Sequence, residues 1–71
     1  MIKLTDTLIN NIQTTARELI HNSEDSQVIQ DGGELKLVKE NSSTGKALLQ
    51  EDGAVIDTYE AEGEKFLISR I

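Results

Sequence analysis

Between Thr5 and His21 the apolar residues recur at the spacing of a helix. With Leu8 at zero and about 100° added per residue, Leu19, Ile12, Ala16, Ile9 and Ile20 fall within one stripe of about 120°. Asn10, Asn11, Gln13, Thr14, Arg17, Glu18 and His21 fill the remaining arc. Strand alternation fails over the same residues, because Leu8 beside Ile9 and Leu19 beside Ile20 break a period of two. The pattern predicts an amphipathic helix over about 5–21, with Thr5 or Asp6 as its N-cap and His21–Asn22 as its stop. Burying six such side chains is worth on the order of 10 kcal/mol gross, an upper bound for the stripe. Met1 to Leu4 reads as the lead into this helix, Leu4 packing back on its first turn.

Beyond Asn22 the pattern shortens into strand-length runs separated by turn residues. Strands are predicted over about 27–30, 34–40, 46–50, 54–60 and 64–71, with turns at Asp31-Gly32-Gly33-Glu34, Asn41–Gly45, Glu51-Asp52-Gly53 and Ala61-Glu62-Gly63. Turns at this rhythm argue for hairpins rather than βαβ units. The predicted fold is therefore α+β, a single small domain over 1–71 in which one N-terminal amphipathic helix packs on an antiparallel meander of four to five short strands.

The strands carry apolar groups on both faces: Leu37-Val38, Leu48-Leu49, Val55-Ile56 and Phe66-Leu67-Ile68. One helix covers one face. The second face thus calls for a curled, barrel-like sheet or for another copy of the chain, and a homodimer is the expectation.

Composition narrows the functions. The 71 residues include no cysteine and no proline, and Tyr59 and Phe66 are the only aromatic residues. A chain of this size sits near the lower limit for a core without disulfides or metal. With no cysteine, no signal-like opening and no apolar run of membrane length, a cytoplasmic setting is expected. The net charge is −6, and 24–64 holds eleven carboxylates against Lys36, Lys39 and Lys46. Such a surface repels phosphate backbones and anionic membranes, so direct nucleic-acid binding is disfavoured, and it attracts a basic protein partner.

Candidate chemistry is sparse. One histidine and no cysteine do not make a zinc site, and no acidic cluster follows the EF-hand pattern, so no metal and no cofactor are expected. Ser43-Thr44-Gly45-Lys46-Ala47 looks like the end of a P-loop, but Glu40 stands where that motif wants glycine and Ala47 where it wants Ser or Thr. A strand is also predicted where the motif wants a helix. A nucleophile–base pair would have to be built around His21 at a helix end, so no catalytic residue is assigned.

The leading expectation is a non-catalytic, small acidic protein-interaction module that binds a protein partner through a sheet edge, the polar helix face or the acidic turns. The residues named for that surface are Glu24, Asp25, Asp31, Glu34, Glu51, Asp52, Glu60, Glu62 and Glu64. Two alternatives compete with it. One is an acidic inhibitor that imitates a nucleic-acid backbone, a reading to which the chain's resemblance in general type to small acidic single-domain proteins of phages and mobile elements adds no motif; the other is a homo-oligomeric structural or small-ligand-binding protein. A contiguous acidic face would favour the mimic, and acids spread among turns would favour a merely solubilising role.

Overall fold

A computed structural model describes residues 5–29 and 35–70. In chain order these form α1 (Asp6–His21), β1 (Ser26–Val28), β2 (Leu35–Lys39), α2 (Ser43–Leu49), β3 (Val55–Ala61) and β4 (Glu64–Arg70). The fold is α+β, with the N-terminal helix packed on an antiparallel four-stranded sheet in the order β1-β2-β4-β3. The lead at 1–4, the turn at 31–34 and the last residue of the final strand lie outside the described residues.

α1 forms where its periodicity places it. Thr5 is the N-cap, its hydroxyl accepting the Leu8 N–H at 3.1 Å. Leu8, Ile12, Ala16 and Leu19 are buried, whereas Ile9 and Ile20 are half-buried at the stripe's margin. Thr15 takes a buried place instead, its hydroxyl satisfied by the Asn11 carbonyl at 2.7 Å. The helix ends in a Schellman motif: Glu24 N–H donates to the Leu19 carbonyl and Ser23 N–H to the Ile20 carbonyl, with Ser23 at φ 55°.

Two corrections concern 41–53. The predicted strand over 46–50 is helix, the first part of which occupies the predicted loop at Asn41–Gly45. Ser42 caps it, its hydroxyl accepting the Gly45 N–H at 3.0 Å while donating to the Lys39 carbonyl at 2.7 Å. Gly45 is then pressed against the end of β2: a Cβ there would lie 2.6 Å from the Glu40 carbonyl oxygen and closer still to that of Lys39. The second correction is to Glu51-Asp52-Gly53, which makes a helix-to-strand turn rather than a hairpin, with Ala54 N–H on the Glu51 carbonyl and Gly53 at φ 78°.

These corrections also change the topology from the expected meander. β2 and β3 are both antiparallel to β4 and so run parallel to each other, joined through α2, with β4 inserted between them. A βαβ element, disfavoured by the turn rhythm, is present in this split form. The final hairpin follows expectation: Ala61 pairs with Glu64, and Glu62 and Gly63 both take positive φ, as a two-residue type I′ loop requires.

The two sheet faces have separate covers. Leu35, Leu37, Phe66 and Ile68 join Leu8, Ile12, Ala16, Leu19 and Ile29 in one core under α1. Val38 and Leu67, directly paired and facing the other way, stand outside that cluster yet have no exposed surface. α2 packs on β2 and, with Val38 and Leu67 outside the core under α1, is the described element left to cover them, whereas Leu49 stays exposed at 56% and Val55 and Ile56 are half-buried.

Three stability outcomes are expected. Ile12→Asp puts a carboxylate into the core under α1 and abolishes cooperative thermal unfolding, whereas an unchanged Tm would mean the stripe faces water. Gly45→Ala separates propensity from packing: in an open helix alanine gains about 1 kcal/mol, but against the two carbonyls it loses roughly 1–3 kcal/mol. The urea midpoint should therefore fall, and a rise would mean the close approach is absent. Ser23→Gly relieves a left-handed serine at the α1 C-terminus and should raise stability by about 0.5–1 kcal/mol, read in the same titration.

Candidate functional site

Among the described residues, the acids named from the sequence do not gather on one face. Lys39 N–H donates to the Asp25 carbonyl, Glu40 N–H donates to the Lys65 carbonyl, and Glu62 and Gly63 make the β3–β4 turn, so these residues share one end of the sheet. Glu24, Asp25, Glu60, Glu62 and Glu64 are exposed there. Lysines are set among them. Lys65 is the direct cross-strand partner of Glu60, and an open depression of about 490 Å³ at this end is lined by Asp25, Glu40, Glu64, Lys39 and Lys65 together with neutral residues.

Glu51 and Asp52 lie at the opposite end, in the turn before Val55, which pairs with Ser69. Asp31 and Glu34 fall outside the described residues. Cross-strand register also separates Glu60, opposite Lys65, from Glu64, opposite Ala61, putting them on different faces. Among the described residues no three His, Asp or Glu side chains gather as a metal-holding group. The P-loop likeness gains nothing from α2, because Gly45 and Lys46 lie inside the helix and Gly45 is fixed by the Lys39 and Glu40 carbonyls.

A different site is built by β3 and α1. α1 packs over β1 and β2 and leaves β3 less covered, with Ile56, Tyr59 and Ala61 half-buried at the margin of the core. Between the helix and this strand runs an open groove of about 470 Å³, lined by Gln13, Arg17 and His21 on one side and Tyr59, Ala61 and Glu62 on the other. The three helix residues are four apart and so fall in one line down α1. The sequence reading had placed all three on the polar arc; what it lacked was the strand that they face.

The backbone of β3 completes the site. Because Glu40 N–H reaches the Lys65 carbonyl, the peptide groups of Lys65 face β2, and alternation turns those of Phe66 and Ile68 toward β3. Their partners Tyr59 and Asp57 face back toward β4, and Thr58 and Glu60 direct N–H and C=O outward from the sheet. The Thr58 N–H is taken by the Asp57 carboxylate at 2.8 Å. Among the described residues the Thr58 carbonyl and both peptide groups of Glu60 have no strand beside them. The other edge, β1, is three residues long and carries Gln27, whose amide donates to the Glu18 carboxylate on α1 at 2.7 Å.

No described helix is long and apolar enough to cross a membrane. No family model, curated protein or solved structure matches the chain.

Proposed function

We propose that this chain is a non-catalytic protein-interaction module that receives an extended segment of a partner protein along the outer edge of β3. One observation carries the reading. A seven-residue edge strand turns outward peptide groups at Thr58 and Glu60 beside an open groove floored by Tyr59 and Ala61. Strand addition uses such an edge: main-chain bonds supply affinity, and side chains on alternate positions supply selectivity.

The edge is also restrained against indiscriminate pairing. A register shift at Val55/Asp57 breaks its regularity, Asp57 occupies the Thr58 N–H, and Glu60 adds charge. Such restraint suits a module that must remain dispersed at cytoplasmic concentrations, the setting proposed from its cysteine-free composition.

The test is a proline at Glu60. This N–H points away from β4, so Glu60→Pro removes an outward donor without removing a ladder bond. In affinity capture from the native cell, the wild-type chain and a Lys46→Ala control on the exposed side of α2 should retain the same partner, and Glu60→Pro should lose it while keeping a cooperative melt. Retention of that partner by the folded proline variant would rule out the edge of β3 as the binding element.

A further inference from the structure

We propose that Asp52 is a site of spontaneous covalent modification, at which the Asp52-Gly53 peptide rearranges through a cyclic imide to an isoaspartyl linkage and loosens the turn that joins α2 to β3. The β3 edge takes no part in it: its outward peptide groups lie further along the strand, at Thr58 and Glu60.

The chemistry needs no catalyst. The Gly53 nitrogen attacks the side-chain carboxyl carbon of Asp52, a C–N bond closes a five-membered ring, and the carboxyl hydroxyl leaves as water with the amide proton. Water then adds to either ring carbonyl. Opening at the side-chain carbonyl restores aspartate, whereas opening at the main-chain carbonyl leaves the chain running through the side-chain carbon and frees the α-carboxylate. One water is released and one consumed, so mass is unchanged and one carboxylate replaces another.

Three observations place the reaction at this turn. Gly53 has no Cβ to obstruct ring closure, and nothing lies within 4 Å of where one would stand. Among the described residues its N–H enters no hydrogen bond. Asp52 and Gly53 are both exposed and lie between α2 and β3, free of the helical and ladder bonds that hold a peptide plane fixed.

Other pairs in the chain lack one element or another. Asp6, Asp25 and Asp57 precede Thr7, Ser26 and Thr58, which carry side chains and lie within α1, β1 and β3. The Thr58 N–H is also held by the Asp57 carboxylate. Gly63 is as open as Gly53 and has φ 79°, but it follows Glu62, whose extra methylene would demand a six-membered ring.

The consequence is structural. An isoaspartyl linkage adds one carbon to the main chain inside the turn that the Ala54 N–H closes on the Glu51 carbonyl at 3.3 Å. That turn delivers Val55 to its place opposite Ser69, so lengthening it shifts the start of β3.

The experiment ages the full chain at physiological pH and temperature, folded and in urea, and maps its peptides by electron-transfer fragmentation, which distinguishes isoaspartate from aspartate. In the folded chain Asp52 should convert at least tenfold faster than Asp6, Asp25 or Asp57, and at a rate close to its own in urea. Folded protein enriched in the converted form should melt several degrees lower, and Asp52→Glu aged alongside should keep its Tm. Conversion at Asp52 no faster than at those aspartates, or strongly slowed by folding, would overturn the site. Conversion without a fall in Tm would overturn the effect on the turn. An equal fall in aged Asp52→Glu would assign the loss to the second such pair, Asp31-Gly32, and overturn that effect as well.

Discussion

A sheet with apolar residues on both faces must be covered twice, and the rest of this structure follows from that constraint. Val38 and Leu67 face one way while Leu37, Phe66 and Ile68 face the other, and all five are almost completely buried. Leaving either set in water would forfeit roughly 1.5–3 kcal/mol for each large side chain, a heavy loss for a domain of 71 residues. α1 supplies one cover and α2 packs on the other side. α2 contains only seven residues and follows β2 closely, and at Gly45 there is no room for a Cβ against the Lys39 and Glu40 carbonyls.

The long helix was legible because sixteen residues display a period several times over, and because Thr5, Asp6 and Asn22 mark its ends. The hairpin at Glu62-Gly63 was legible from its turn chemistry. α2 was not. Seven residues span two turns, too few for a periodicity, and Leu48-Leu49 suits a strand with two apolar faces as well as a helix end. The signal that distinguishes them is Ser42 three residues before Gly45, a cap whose hydroxyl also donates to the Lys39 carbonyl three residues earlier, a local pattern that a polar run of Asn, Ser and Thr does not set apart from a loop. Reading that segment as a strand leaves Val38 and Leu67 without a cover from the chain itself.

The acidic residues illustrate a second limit. Counting carboxylates from Glu24 to Glu64 gives a strongly negative stretch, but β-pairing sets Lys65 opposite Glu60 and sends Glu51 and Asp52 to the far end of the sheet. Charge along the chain is not charge across a surface. The groove beside β3 sets Arg17 and Glu62 in one lining. Gln13, Arg17 and His21 were visible as a line four residues apart, but that line gained meaning only when the fold set Tyr59 and Ala61 beside it. With both faces of the sheet occupied by the chain's own helices, an edge is the part left available for pairing, and β3 is the longer of the two edges.

The double covering of the sheet is tested most directly by the ¹³Cα chemical shifts of Ser43–Leu49 in the isolated chain in solution. Shifts displaced downfield from random-coil values across that run, as in a helix, are the expected result. Upfield, strand-like values over Lys46–Gln50 would contradict it, since α2 would then be a fifth strand and Val38 and Leu67 would lack their cover.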